Sequence, residues 1–388
     1  MLRFISSVSL VAAATFASSA FAQQTIKIVS ASPLSGEQAS LGSQIKDGAQ
    51  IAIEEAQPAF AKMGFKLELA PQDDQANPDT GVAVAKRIVN DNEVLGVVGH
   101  FNSGVGLPAS EVYKDFNLVM VSPANTNPKI TDRGYANVNR VCGRDDVQGP
   151  AGSEFATGEL KAKKIFIIHD KTAYGQGVAE AFRDTSKKSG AAVLSFSGTE
   201  EKSDFTSLTQ QIKALKPDLI YFGGVYSQGG PLLKQIRDAG LKAYFLGPDG
   251  LDSSDFVKLA GASAKGAYFT TVAGPVDKYP KAAKFAAAFK TKFNHAPESF
   301  ALYSYDSARV ILEATTAAIK ANGGKMPTRE AVSKEVRKVN FEGITGTIAF
   351  DSKGDRKKSD YYIMSLKEGI YPGVVEKVVS VAPPQAAK

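Results

Sequence analysis

The 388-residue chain holds one cysteine and three histidines. A lone cysteine excludes an internal disulfide, so stability must come from packing. His100, His169 and His295 make no pair at metal-binding spacing, and no H-E-x-x-H is present. A G-x-S-x-G nucleophile elbow and a G-x-x-x-x-G-K-[ST] phosphate loop are missing too. With no nucleophile–base pair or metal site legible, no enzyme and no cofactor is expected. A strong charge of one sign is also lacking: 46 Lys and Arg face 40 Asp and Glu, and the nearest thing to a basic block is "DRKKSD" at 355–360. Nucleic acid is therefore not an expected partner. Cys142, in the strand-like "NVNRVCGR", reads as a small buried apolar residue rather than a nucleophile.

What is present begins with "MLRFISSVSLVAAATFASSAFA", in which one early cation, Arg3, precedes an apolar core and then Ala20-Phe21-Ala22. This layout predicts a secretory signal peptide over 1–22, cleaved after Ala22. Its core is too short for a good membrane span, and no cysteine follows to take a lipid. The mature chain, from Gln23 onward, is expected outside the cytoplasm, in the periplasm. Roughly 366 residues remain, enough for two domains and a large core.

Apolar strands and amphipathic helices alternate along most of that length. "TIKIVSASPL", "FKLELAPQDD", "VLGVVGHF" and "LVMVSPA" read as strands. Between them "SQIKDGAQIAIEEA", "DTGVAVAKRIVNDN" and "LPASEVYKDF" read as helices. The pattern restarts with "KKIFIIHD" and runs through "DLIYFGGV" and "AYFLGPDG" to "GAYFTTVAG". In this second run Asp204 is a plausible helix N-cap, and Pro217 a stop. Two doubly wound α/β units with parallel sheets follow, with a boundary near Gly143–Gly149. After Gly274 come three helices, "PKAAKFAAAFKTKF", "SFALYSYDSARVILEATTAAIKAN" and "TREAVSKEVRKV". The strands "GITGTIAF" and "DYYIMSLKEG" follow, with "DSKGD" at 351–355 as the turn between them. These pieces are too few for a third domain. The expected division is a first lobe of 25–144 plus 275–352 and a second of 145–274 plus 353–380, with a disordered tail at 381–388.

The stretch "LGVVGHFNSGVGLPAS" raises the question of ligand. Gly104, Gly106 and Ala109 fit a loose G-x-G-x-x-A, but the next strand ends in Ser122, Pro123, Ala124 and Asn125 rather than in a ribose-binding acid. A dinucleotide is rejected. The position still suits an anion, because a helix N-terminus presents free N–H groups, and Ser103 adds a hydroxyl. In "SPANTNP" the Ala124 carbonyl and Thr126 hydroxyl stand at the next strand end. Donors at one loop and acceptors at the next suit a small zwitterion. Asp249, in "FLGPDGL", is either the countercharge for an ammonium or a common turn acid. "YFGGVYSQGG" makes a similar strand-to-helix loop. His100 and His169 also follow apolar strands and read as hydrogen-bonded structural histidines.

At these residues the sequence resembles the branched-chain amino acid binding proteins of the periplasmic type I solute-binding family, which serve ABC importers. The resemblance runs from about Thr25 to Gly373. It is carried by "SPLSGEQASLG", "GHFNSG", "VSPANTNP", "DDVQGP", "IHDKTAYGQG", "LIYFGG", "LKQIRDAGLKAYFLGPDG" and "GTIAFDSKGDR" in that order. It implies two lobes joined by three crossovers, one amino acid in the cleft, and a monomer that docks on a membrane permease. By the motif match, Ser103 and Thr126 bind the α-carboxylate, while the Ala124 carbonyl, Thr126 and Asp249 bind the α-ammonium. Tyr174 closes over the ligand and Phe300 lies near the cleft. Leu41 stands where the family carries an aromatic wall, and Val225 where it often has tyrosine, with Tyr226 adjacent. Asp249 replaces a glutamate, and Asn77 and Asn102 stand where some members form a disulfide. The side-chain pocket is thus rebuilt around an intact zwitterion site. The alternatives are an aromatic or aliphatic carboxylate or short amide as ligand, or a sensory role.

Overall fold

The computed structural model describes residues 23–382, so the expected signal peptide lies outside the described residues, as does all of the tail but its first two positions. In the first lobe, β1 (Gln24–Ser32), α1 (Ala39–Lys62), β2 (Phe65–Asp73), α2 (Pro78–Val89), β3 (Val94–Gly99), α3 (Ser103–Asp115), β4 (Val119–Ser122), α4 (Lys129–Asp132) and β5 (Val138–Arg140) follow in turn. Their strands form one parallel sheet in the order β2-β1-β3-β4-β5. Every residue of β3 and β4 is buried, as a strand covered by helices on both faces requires.

The chain then crosses into α5 (Asp145–Gly158), which packs on the next lobe's α6 (Ala173–Lys188). There β6 (Lys164–His169), β7 (Ala192–Gly198), α7 (Thr206–Leu215), β8 (Leu219–Gly223), α8 (Tyr226–Asp238), β9 (Tyr244–Gly247), α9 (Ser254–Ala260) and β10 (Tyr268–Thr271) repeat the winding. Asp204 Oδ1 accepts the Thr206 amide at the start of α7, and Lys216, left-handed before Pro217, ends it.

A second crossing returns the chain to the first lobe as α10 (Ala283–Phe293), α11 (Ser299–Ala321) and α12 (Arg329–Val336). Helix α11 lies along α1 so closely that a Cβ added at Gly48 would stand 2.1 Å from the Ala301 carbonyl oxygen. Next come β11 (Asn340–Gly343) and β12 (Gly346–Ala349), paired as a separate hairpin. A third crossing leads to β13 (Ser359–Ser365) and β14 (Val374–Val381). They complete a seven-stranded sheet, β14-β13-β10-β9-β8-β6-β7, with the last two strands antiparallel.

One expectation needs correction, and two elements need adding. The "DSKGD" turn lies between β12, which pairs backward with β11, and β13, which enters the second sheet, and a single Phe350–Arg356 bridge spans it. Within it the Asp355 carboxylate is drawn to Arg140 and Arg144 at the first crossing. Helix α5, which begins within the stretch read as a boundary, went unread because Gly149, Pro150 and Gly152 blur its pattern. Strand β14 went unread, and its Val381 pairs with Ser359, so the tail does not begin at 381.

Candidate functional site

The loops leaving β3 and β4 face those leaving β6, β8 and β9, all at carboxyl ends of parallel strands, where sites form in open α/β sheets. On the first lobe Ser103 opens α3; its buried Oγ accepts the Asn127 amide at 3.3 Å. Beside it the Thr126 hydroxyl is fully buried with no hydrogen-bond partner. This loop is held from behind. Arg140 donates to the Asn125 and Asn127 carbonyls at 2.7 and 3.0 Å, and Ser122 Oγ accepts the Ala124 and Asn125 amides. Arg140 and Arg144 both engage Asp355, tying the first crossing to the third. Burial alone would raise the Asp355 carboxyl, but the two guanidinium groups hold it below the usual carboxylate range.

On the second lobe Asp249 is buried just beyond β9. Its Oδ1 accepts from the Tyr174 hydroxyl at 2.6 Å and from Gln148 Nε2 at 3.0 Å, while its amide donates to Gln148 Oε1 at 2.8 Å. Thr270 fixes the same Gln148 oxygen. Behind them Asp145, at the start of α5, donates its amide to the Thr126 carbonyl, and its buried Oδ2 has no partner. Neither Asp145 nor Asp249 forms an ion pair among the described residues. Burial pushes Asp249 up to about 6, less far than it would without the Tyr174 and Gln148 hydrogen bonds. Burial, then the neighbouring Asp249, pushes Asp145 well up. A buried carboxylate with no ion pair, facing a small space, suits a cation that donates hydrogen bonds.

That space is a cavity of ≈ 10 Å³ lined by Phe101, Asn102, Ala124, Tyr174, Val225, Asp249 and Gly250. It shares Asn102, Tyr174 and Val225 with a crevice of ≈ 440 Å³. Contacts between lobes close over it: Asn127 Nδ2 donates to the Ala173 carbonyl at 2.7 Å, and the Tyr226 hydroxyl to the Glu37 carbonyl at 2.9 Å.

Of the residues singled out in the sequence, Asn102, Ala124, Tyr174, Val225 and Asp249 therefore meet at one cavity, with Ser103 and Thr126 on the adjoining loop. Leu41, Tyr226 and Phe300 do not line it. They are buried in the continuous apolar cluster around it, where Phe300 meets Phe101 edge to face at 5.6 Å. Phe101, Gly250, Gln148 and Asp145 were missed. For the last two, the signal was "DDVQGP", legible as a motif but not as a wall of the site. Asn77 caps α2, and Asn102 Nδ2 donates to Gln38 Oε1 at 2.8 Å while its Oδ1 has no partner. His100 is structural: it bridges Asp74 Oδ2 at 2.7 Å and the Tyr113 hydroxyl at 3.0 Å in the buried interior. Cys142 is buried, and burial pushes its thiol up, as for an inert sulfur.

The family model described as periplasmic binding protein matches residues 25–370. The chain is 36% identical over 353 residues to the leucine-, isoleucine-, valine-, threonine- and alanine-binding protein of Pseudomonas aeruginosa, covering 91% of this chain and 92% of that one. It is 35% identical to Leu/Ile/Val-binding protein homolog 1 of Brucella abortus, over 94% of this chain and 96% of the relative. Among solved structures it is similar to the branched-chain amino acid transporter substrate-binding protein LivJ of Streptococcus pneumoniae in complex with isoleucine. There the TM-score is 0.82 at 26% identity, covering 93% of this chain and all of the other.

Proposed function

The chain belongs to the periplasmic binding protein family, and from that premise we propose that it captures a small neutral amino acid, branched-chain or otherwise aliphatic, for an ABC importer. The observation that carries this reading is the pairing of a buried, cation-free Asp249 on one lobe with the Ser103–Thr126 loop on the other. The α-carboxylate sits at the start of α3 against Ser103 and Thr126, where helix amides and hydroxyls favour an anion. The α-ammonium meets Asp249, the Thr126 hydroxyl and the Ala124 carbonyl. Phe101 and Val225 face the side chain, with Leu41, Tyr226 and Phe300 packed around them.

Closure follows from this division. A ligand touching both lobes stabilises the closed arrangement by its differential affinity alone. The closed form then docks on the permease, and transport energy comes from a separate ATPase. On this reading the protein is exported by its leader, cut after Ala22, works as a monomer with lobes divided near 144, 275 and 353, and carries out no catalysis.

The test is calorimetric titration of protein unfolded and refolded to strip bound solute. Leucine, isoleucine, valine and phenylalanine are compared with their des-amino acids. Saturable binding of an amino acid with its des-amino partner silent is the expected result. Silence from every amino acid and a response to a carboxylate would retire the proposal.

A further inference from the structure

A much roomier cavity lies elsewhere. It encloses ≈ 810 Å³ between the lobes, beside the second crossing, and shares no lining residue with the cavity around Asp249. Its first-lobe wall is Ser43 and Gln44 on α1 with Glu298 at the entry to α11; its second-lobe wall is Ser254 and Lys258 on α9 with Tyr371. Glu298 is only 8% exposed. Its amide is held by Gln44 Oε1 at 2.9 Å, and its Oε1 accepts the Ser254 amide across the lobes at 3.3 Å. Its Oε2 is buried with no partner, and Glu298 forms no ion pair among the described residues.

The cations nearby are committed to other acids. Lys258 Nζ lies 2.6 Å from Asp255, and His295 Nε2 lies 3.7 Å from Asp47. Asp252, which binds the Tyr371 hydroxyl, adds a second buried acid close enough to repel Glu298. The rest of the wall mixes apolar residues, Pro275, Val276, Pro297 and Pro372, with Ser40, Ser299 and the acid Asp277. No group of three His, Cys, Asp or Glu side chains placed to hold a metal occurs among the described residues. A buried carboxylate oxygen with no partner, in a roomy chamber whose wall mixes hydroxyls with prolines, matches an ammonium on a short hydrocarbon chain.

We infer that this chamber is a second ligand site, taking a small primary amine whose ammonium pairs with Glu298 Oε2. Because its walls belong to both lobes, an occupant favours the closed arrangement and tightens amino-acid binding, and the amino acid tightens the amine in return. That coupling rests on the proposed function; binding of the amine does not.

Butylammonium chloride is the probe, titrated calorimetrically into the full chain, with sodium butyrate as the opposite charge. Saturable binding of butylammonium but not of butyrate is expected. It should persist in Asp249→Asn and weaken by about tenfold or more in Glu298→Gln, the loss of one charged hydrogen bond. Ser43→Phe, which narrows the chamber without touching the acid, should weaken it as well and decides the matter if Glu298→Gln does not fold. No saturation by the wild type, undiminished binding in folded Glu298→Gln, or loss in Asp249→Asn alone overturns the site. Leucine affinity should rise about fivefold or more at saturating amine. Leucine that binds unmoved by the amine overturns the coupling, whereas leucine that does not bind at all counts against the proposed function instead.

Discussion

The Tyr174 hydroxyl stands 2.6 Å from Asp249 Oδ1 and accepts the Gly250 amide at 2.6 Å. One phenol thus spends its proton on the acid and its lone pair on the loop that carries it. Gln148 Nε2 donates to the same oxygen, so on the proposed reading an ammonium meets a carboxylate already fixed in place.

Asp249→Asn should therefore weaken an amino acid by about 1.5–3 kcal/mol, the range of a hydrogen bond to a charged group. Its des-amino acid should lose much less. Paired titrations of the two ligands check this, and equal losses would remove Asp249 from the ammonium site.

Binding should also take up the pH sensitivity of the acid. Below about pH 6 the empty cleft holds a proton on Asp249, and an ammonium beside it favours the ionised form, so binding must expel that proton. Affinity is expected to fall with acidification through about pH 6, at most tenfold per pH unit for one proton. Calorimetry in buffers of different ionisation enthalpy counts the protons released. Asp145→Asn, which removes the neighbouring acid, should lower the count.

Arg140→Met strands Asp355 without its closest ion-pair partner and releases two loop carbonyls. Removing one member of a buried pair costs about 3–5 kcal/mol, read by denaturant unfolding. The pH sign follows from the depressed Asp355 carboxyl: its stabilisation is full above the unfolded value of about 4 and is lost as pH falls through that value and below. Asp355→Asn should flatten this acid limb.

Asp252 predicts the opposite slope. Burial raises it to about 7 although Thr271 and Tyr371 donate to it, so the folded state keeps a proton that the unfolded chain has released. Stability should decline as pH rises between about 4 and about 7, and less steeply in Asp252→Asn. Thermal melts across that window decide it; an unchanged slope in the variant would assign the decline to other groups.

Most of the winding was legible because it rests on local pattern. Continuous apolar strands and 3.6-residue spacing mark β3, β6 and α11 without reference to anything distant. Ser103, Ala124 and Asp249 could be singled out because strand ends and turns are local too. What escaped depends on long-range company. The Asp355 carboxylate pairs with Arg140, over two hundred positions away, and no local pattern marks that partner. Helix α5 gains its place from packing on α6, against the poor propensity of its glycines and proline. Asp145 and Gln148 belong to the site only because that helix points at Asp249.

The partnership of α1 and α11 also governs when the protein can fold. The first lobe lacks the helix that covers α1 until the chain beyond Ala321 has been made. Contacts of such sequence separation form slowly, since a long loop must close before they stabilise anything. The first lobe therefore acquires its packed form only once its last helices have been made, however early its first strands emerge.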